Sequence, residues 1–210
     1  MRVAIIGASG RSGAATAARA LAAGHEVVSV VRNAATAPTG TAVAVADARD
    51  VDALTAAIRG VDAVISCLGH ARTTDALTDA TVLRDGMVAL LSAMSTAGVE
   101  RLIAISAAGA YIEGDDPLSR FIAKPIVARL FGESFADTRD MEAAIRSTNR
   151  QWTILRPSRL IAGTGKPTYR SGVDRAVWWH YSTTFDTVGR AAVDALATPA
   201  WVGHAIFITE

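Results

Sequence analysis

The sequence has little cysteine, no cluster of like charge and no long apolar run, and each absence excludes a class of protein. Its 210 residues include one cysteine, Cys67, which excludes an internal disulfide and a cysteine-based metal site. The net charge is +1 and no run of lysine and arginine is present, which argues against a nucleic-acid partner. No apolar stretch approaches the ~18 residues that span a bilayer, and no leader-like apolar segment opens the chain. We therefore expect a single globular, cytoplasmic domain with no membrane partner and no metal.

The first thirteen residues, MRVAIIGASGRSG, carry the strongest motif. An apolar run rich in β-branched residues precedes Gly7, Gly10 and Gly13, and helix-forming residues follow at 14–23. Glycines at this spacing let the chain turn sharply between a strand and a helix, whose N-terminus presents free N–H groups to phosphates. Because this GxxGxxG spacing comes directly after an apolar strand, we interpret the segment as a cradle for a dinucleotide pyrophosphate.

Strands and helices alternate along the rest of the chain, in the pattern of a parallel doubly wound sheet. Further strands are predicted at 26–31, 43–46, 61–68, 101–106, 152–155, 177–181 and 204–208. Further helices are predicted at 51–59, 82–96, 135–147 and 187–197, the last capped by Asp186. A helical segment at 117–131 should be kinked by Pro125 and ended by Gly132, and 158–175 reads as irregular. We expect one α/β domain over 1–210, a Rossmann-type sheet with a small substrate lobe at about 111–135 and 158–185.

The end of the second strand indicates which dinucleotide binds. In such folds an acidic residue there selects NAD through the ribose 2′-hydroxyl, whereas an arginine accommodates the 2′-phosphate of NADP. Here the strand ends in Val31, Arg32 and Asn33, and Arg11 in the glycine turn can approach the same phosphate. This favours NADP over NAD, with two solvated surface arginines as the alternative. Asp47 after the third strand is open to two interpretations, a capping residue or a contact of the adenine ring.

Candidate residues for the chemistry follow the fourth, fifth and sixth strands, because open α/β sheets bind ligands at the carboxyl ends of their strands. Ser106 and Ser158 are the hydroxyls predicted to lie nearest a nicotinamide, with ordinary strand-end or turn serines as the alternative. His70 suits a substrate contact, or else is an exposed loop histidine. Four aromatic residues either line a pocket for a flat ligand or cover a small core: Trp178, Trp179, Tyr181 and Phe185.

The acid–base pair of many alcohol dehydrogenases, a tyrosine followed four residues later by a lysine, is absent. The chain has two lysines, and its tyrosines at 111, 169 and 181 are followed at that distance by aspartate, valine and phenylalanine. Two hypotheses remain open. A conjugated acceptor such as a flavin, quinone or tetrapyrrole spreads the charge of a hydride and takes its proton from water, so it needs no dedicated acid. Alternatively, the site binds the dinucleotide without turning anything over.

The chain resembles the atypical short-chain dehydrogenase/reductases of the NAD(P)H-binding type in six segments: GASGRSG, VVRN, VADARDV, VISCLGH, LIAISAAG and WTILRPSRL. The resemblance covers most of the chain and is nearest to the biliverdin-IXβ reductase/flavin reductase branch. Its most specific part pairs the glycine turn with TILRP after a helix containing Met141 and Glu142. It implies a Rossmann sheet with a small lobe, NADPH as cofactor and flavins, tetrapyrroles or quinones as acceptors. The superfamily also includes NmrA-like regulators, which sense a dinucleotide without reducing a substrate.

Carried over by position, the resemblance implies where each part of the cofactor lies. The pyrophosphate is expected on the glycine turn, which consists of Gly7, Ala8, Ser9, Gly10, Arg11, Ser12 and Gly13. The 2′-phosphate is expected on Arg32 and the adenine near Asp47 and Ala48. The ribose is expected beside Leu68 and Gly69.

The resemblance also assigns the nicotinamide end, and there the sequence departs from the flavin reductases. Ser106 matches the serine that faces the nicotinamide, and Pro157 matches the proline beside the carboxamide. Where the flavin reductases have a histidine after the proline pair, this chain has Ser158, which puts a tetrapyrrole activity in doubt. We predict Ser106 as the catalytic residue. The predicted substrate pocket contains His70, Ser158, Arg159 and Trp178.

Overall fold

The computed structural model describes residues 1–69, 81–111 and 124–210. Over these ranges the chain forms ten strands: β1 (Arg2–Ile6), β2 (Glu26–Val31), β3 (Ala42–Val45), β4 (Ala63–Ser66), β5 (Arg101–Ile105), β6 (Gln151–Pro157), β7 (Arg159–Ile161), β8 (Arg170–Val173), β9 (Ser182–Thr184) and β10 (His204–Thr209). The same ranges contain five α-helices: α1 (Arg11–Ala22), α2 (Val51–Ala57), α3 (Val82–Ala97), α4 (Lys124–Arg146) and α5 (Phe185–Leu196).

Eight of these strands form one sheet in the order β3-β2-β1-β4-β5-β6-β10-β8. Neighbouring strands in it are parallel except β8, which runs antiparallel to β10. The strand order reverses at β1, which lies between β2 and β4, and such a switch point opens a crevice at the carboxyl ends of the strands. The predicted Rossmann-type α/β fold is confirmed.

Both faces of the sheet are covered by helices, so alternate residues of a central strand enter two separate cores. In β1, Ala4 and Ile6 pack with side chains of α2, α3 and α4. Val3 and Ile5 face the opposite way and pack with α1 and α5. Burial on both faces explains why the central strands read in the sequence as continuous apolar runs rather than as an alternating pattern.

One long helix, α4, spans the position where the sequence predicted a break between two helical segments. Pro125 is the second residue of α4, in the first turn, where its missing N–H removes no helical hydrogen bond. Gly132 lies inside the helix, where glycine costs about 1 kcal/mol relative to alanine without forcing an end. The predicted end at Gly132 is therefore wrong, and residues 117–123 of that prediction lie outside the described ranges. No described helix, α4 included, combines the length and apolar character needed to cross a membrane.

The aromatic segment at 177–181 forms a turn rather than the predicted strand. Trp178 and Trp179 occupy this turn, and Trp179 has a positive φ of 64°. Strand β9 follows the turn and pairs with β7 in a separate two-stranded parallel sheet. Aromatic residues favour a strand only where a neighbouring strand pairs with them, and among the described strands none pairs with 177–181. The predicted strand there is wrong.

Other boundaries around this turn also differ from the prediction. The stretch predicted to be irregular contains β7 and β8, and β6 continues through Pro157 because its register with β10 extends to Ile208. Helix α5 is capped by the side chain of Thr184 and not, as predicted, by Asp186. Asp186 instead accepts two hydrogen bonds from the guanidinium of Arg19 on α1, at 2.7 and 2.5 Å. This ion pair joins the two helices on one face of the sheet.

Candidate functional site

The glycine turn between β1 and α1 is packed so closely that two of its glycines leave no room for a side chain. A Cβ on Gly13 would lie 2.2 Å from the carbonyl oxygen of Gly7 and 2.7 Å from the Cα of Ala8. Gly7 has a positive φ of 75°, and a Cβ there would lie 3.0 Å from the carbonyl oxygen of Cys67 in the segment after β4. Glycine is therefore required here both for the backbone conformation and for the close contact of helix and turn.

The N-terminus of α1 is open to a ligand. Gly10 occupies the N-cap position, and no side chain of the described residues caps the helix. The N–H groups of the first turn therefore lack the side-chain acceptor that usually satisfies them. Ser9, Gly10 and Arg11 are exposed, Ser12 is half-buried and Ala8 is buried. This open, uncapped helix start fits a pyrophosphate, whose oxygens supply the missing acceptors and favour the positive end of the helix dipole.

The two arginines predicted to share the 2′-phosphate lie on different sides of β1. Arg32 is exposed and directly follows the end of β2. The guanidinium of Arg11 lies 4.4 Å from the ring centre of Phe185, the first residue of α5. Helix α5 packs on β5, β6 and β10, which lie across β1 from β2. The structure therefore does not bring Arg11 to Arg32, and only Arg32 is at the end of β2.

The residues predicted at the adenine and the ribose lie near the ends of β3 and β4. A carboxylate oxygen of Asp47 accepts the backbone N–H of Arg49 at 2.9 Å, which closes a turn after β3. A Cβ on Gly86 of α3 would lie 3.1 Å from Leu68 and 3.4 Å from Ala48. The structure thus brings Ala48 and Leu68 together over a glycine that sequence reasoning did not single out. Gly69 is exposed next to Leu68, and the predicted residue His70 lies outside the described residues.

Ser106, at the end of β5, belongs to a buried polar cluster that the sequence analysis did not predict. Its hydroxyl donates a hydrogen bond of 2.5 Å to a carboxylate oxygen of Glu142 on α4. The side chain of Glu142 is fully buried and also binds the Nε and one terminal nitrogen of Arg156, at 3.0 and 2.7 Å. Arg146, one turn further along α4, donates to the same carboxylate at 2.6 Å. Pro157, beside Arg156 on β6, is buried as well.

The charges of this cluster keep Glu142 ionised. Burial by itself would raise the pKa of Glu142, but the hydrogen bonds and positive charge of Arg156, with those of Ser106 and Arg146, hold it below its usual value. Tyr111 covers Arg156, whose guanidinium carbon lies 3.4 Å from the centre of the phenol ring. Burial, reinforced by the charge of Glu142, raises the pKa of Tyr111 to about 12. The phenol therefore stays protonated at neutral pH.

The aromatic turn, which we define as residues 178–181, is held beside the end of β6. The hydroxyl of Ser158 donates to the carbonyl oxygen of His180 at 3.4 Å. The backbone N–H of Arg159 donates to the carbonyl oxygen of the last residue of the turn at 3.1 Å. The side chains of Trp178 and its neighbour Trp179 are 51% and 61% exposed. The structure thus brings together Ser158, Arg159 and Trp178 of the predicted substrate pocket. Of the four predicted aromatic residues, Phe185 lies apart from the turn, under Arg11.

A charge pattern in the sequence carries a signal for the buried cluster that was not used. Glu142 lies on the same part of α4 as the buried residues Met141 and Ile145, and Arg156 ends an apolar strand segment. Two opposite charges that are each embedded in apolar sequence must find partners, because an unpaired buried charge is very costly. This reasoning pairs Glu142 with Arg156. It does not reveal that Ser106 and Tyr111 join them.

The reversed strand order, the glycine turn and the uncapped start of α1 define a Rossmann-type dinucleotide-binding protein. A family model described as NAD(P)H-binding matches residues 7–199. The chain belongs to this NAD(P)H-binding family.

Relatives of the chain include proteins of known sequence and of known structure. The chain is 29% identical over 187 residues to the uncharacterized protein YwnB of Bacillus subtilis, and the aligned region covers 84% of this chain and 82% of YwnB. The oxidoreductase YlbE of Lactococcus lactis superposes with a TM-score of 0.84 at 20% identity, over 100% of this chain and 91% of that one. A short-chain dehydrogenase/reductase of Veillonella parvula in complex with NADP gives a TM-score of 0.82 at 18% identity, over 100% and 94% of the two chains. At these low sequence identities, the two superpositions show a shared fold and nothing about a shared activity.

Proposed function

We propose that this protein is an NADPH-dependent reductase of a flat, conjugated acceptor such as a flavin or a quinone. The observation that carries the proposal is the aromatic turn, which has two exposed indoles and whose backbone is hydrogen-bonded to Ser158 and Arg159 at the carboxyl end of β6. That edge of the sheet is where the nicotinamide of a bound cofactor is expected. Exposed indoles offer a planar acceptor a surface for stacking.

We assign each part of the cofactor to the residues predicted for it. We assign the pyrophosphate to the turn Gly7 to Gly13, and the 2′-phosphate to Arg32. Asp47 and Ala48 are assigned to the adenine, and Leu68 with Gly69 to the ribose. At the nicotinamide end the assigned contacts are Ser106 and Pro157.

The division of labour between cofactor and protein follows from this arrangement. A bound NADPH supplies a hydride, which is two electrons with one proton, and the acceptor then takes its second proton from water. The protein therefore has to orient two planar groups against each other rather than to supply a strong acid. Trp178, Ser158 and Arg159 are assigned to the acceptor, and His70 stays a prediction for the same pocket. The location in the cytoplasm, the substrate lobe and the nearness to the flavin-reductase branch also stay predictions.

Turnover tests the proposal directly. NADPH oxidation is measured with flavin mononucleotide and with a panel of quinones, with the protein and without it. We expect turnover above the protein-free rate with at least one acceptor. The Trp178→Ala variant is expected to raise the KM for that acceptor several-fold, as for loss of one stacking contact, with cofactor binding unchanged. No turnover with any acceptor contradicts the proposal.

A second candidate is a dinucleotide-binding sensor of the NmrA-like type. It is favoured by the hydrogen bond of Ser106, whose single hydroxyl proton is directed to Glu142 and is not available to a substrate. If the protein is such a sensor, we expect calorimetry to show tight binding of NADP or NADPH and the turnover assay to show no reduction of any acceptor.

The choice of NADPH over NADH is proposed to depend on Arg32. We expect Arg32→Ala to weaken NADPH binding by about 1–3 kcal/mol, the value of a charge-assisted hydrogen bond, and to leave NADH binding nearly unchanged. Arg59→Ala is the matched control, because Arg59 is also an exposed arginine. It lies between α2 and β4, on the side of the amino ends of the strands, whereas Arg32 lies at a carboxyl end. The measurement is calorimetry of both cofactors with each variant. Equal losses for NADPH and NADH contradict the assignment.

A further inference from the structure

The hydrogen bond between Ser106 and Glu142 determines which way the serine hydroxyl can act. A hydroxyl has one proton to donate and two lone pairs that accept. The hydroxyl oxygen of Ser106 lies 2.5 Å from a carboxylate oxygen of Glu142, and a carboxylate can only accept. The proton of Ser106 is therefore directed inward, and what remains on the partly exposed side of Ser106 is acceptor capacity.

The surroundings of Glu142 keep it a hydrogen-bond acceptor, so the hydroxyl of Ser106 remains the donor. Its carboxylate is fully buried, and two arginines, Arg156 and Arg146, donate three hydrogen bonds to it. With two guanidinium groups in contact, the carboxylate keeps its negative charge and has no proton to return to Ser106. The hydroxyl thus has a strong acceptor on its buried side.

We propose that Glu142 is a positioning residue that fixes Ser106 as a hydrogen-bond acceptor, so that Ser106 receives an N–H of the nicotinamide carboxamide and does not donate to a carbonyl. This inference rests on the proposed placement of the nicotinamide at the ends of β5 and β6. It assigns Ser106 to holding the cofactor ring. Ser106 is then not the proton donor of the acceptor.

Comparison of two oxidised cofactors tests the inference by binding alone. NADP⁺ carries carboxamide N–H groups, whereas its acetylpyridine analogue replaces the amide with an acetyl group that only accepts. Calorimetry gives a Kd for each, and we expect the wild type to bind NADP⁺ about five- to tenfold more tightly than the analogue, the value of one hydrogen bond. In Glu142→Gln, the amide N–H₂ can donate to Ser106 and release its proton outward, so we expect the ratio of the two Kd values to fall to about one or to invert.

Two further variants keep the test independent of folding and of turnover. Ser106→Ala removes the hydroxyl at a partly exposed position and is expected to bring the ratio to about one, and adding Glu142→Gln should then change it no further. Ser92→Ala, on the exposed face of α3, should keep the wild-type ratio. If Glu142 has only a structural role, Glu142→Gln weakens the binding of both ligands equally and leaves the ratio of the Kd values unchanged, which overturns the inference. A ratio of one for the wild type overturns it as well. Failure of the reductase proposal appears separately, as absence of acceptor turnover in a protein that still shows the expected ratio.

Discussion

Gly13→Ala is expected to reduce NADPH binding by roughly a hundredfold or more, the value of about two or three hydrogen bonds, and to lower the free energy of unfolding by about 2–3 kcal/mol. The added Cβ would lie 2.2 Å from the carbonyl oxygen of Gly7 and 2.7 Å from the Cα of Ala8. Both are backbone atoms, which cannot move aside as a flexible side chain can. Helix α1 must therefore shift away from the turn, and its first-turn N–H groups move with it.

A second glycine of the same region provides the control. Gly24 lies just after α1 with a positive φ of 79°, and a Cβ there would have no atom within 4 Å. Gly24→Ala is thus expected to cost about 1–2 kcal/mol of backbone strain and to leave NADPH binding unchanged. Urea unfolding and calorimetry measure the two quantities for each variant. If Gly13→Ala binds NADPH within a few-fold of the wild type, the glycine turn is not the pyrophosphate site.

The fold was predictable because its determining signals are local. The apolar run of β1, the glycines at 7, 10 and 13 and the repeated change between strand and helix patterns are each visible within a short window of sequence. The motif already contained Gly7 and Gly13, and the structure gives the physical reasons why glycine is needed there: the positive φ of Gly7 and the close packing at Gly13. The errors of the prediction are concentrated where the secondary structure depends on a neighbouring strand. Trp178 and Trp179 are an example, because aromatic residues favour strands but these two form a turn.

The candidate site was predictable only in part. The position of Ser106 followed from its place at a strand end, but its hydrogen bond depends on α4 packing against the sheet. A glutamate in an amphipathic helix is usually solvated, and only the three-dimensional arrangement puts Glu142 against Arg156, whose guanidinium is covered by Tyr111. Arg11 is a similar case, because its contact with Phe185 joins residues that are far apart in the chain.

Glu142→Leu is expected to lower the free energy of unfolding by about 3–5 kcal/mol, because it leaves Arg156 buried without its carboxylate. The side chains of Arg156 and Glu142 are 8% and 0% exposed, so water cannot replace the lost partner. Removal of both charges avoids this penalty. We therefore expect Glu142→Leu combined with Arg156→Met to recover most of the loss, since a buried ion pair can often be replaced by apolar residues at little cost.

The pair of Arg150 and Glu100, whose carboxylate is exposed, is the control for this double-mutant cycle. Glu100 is 63% exposed and lies 3.4 Å from Arg150, so Glu100→Leu is expected to change stability by less than about 1 kcal/mol. Urea unfolding of the single and double variants gives the coupling energy between Glu142 and Arg156. A loss for Glu142→Leu no greater than that for Glu100→Leu would show that the buried charges are not coupled in the folded protein.

Acid gives an independent measure of the same ion pair, because the folded pKa of Glu142 lies below its usual value of 4.5. Burial alone would raise this pKa, and the contacts with Arg156, Ser106 and Arg146 more than offset that effect. A carboxyl group with a lowered pKa in the folded state stabilises the protein above the pKa of the unfolded chain, and this contribution is lost as the pH falls through the folded pKa. The wild type should therefore lose more stability below about pH 4.5 than the double variant, which has no carboxyl group at 142. Urea unfolding at a series of acidic pH values measures the two curves, and parallel curves over that range would contradict a lowered pKa for Glu142.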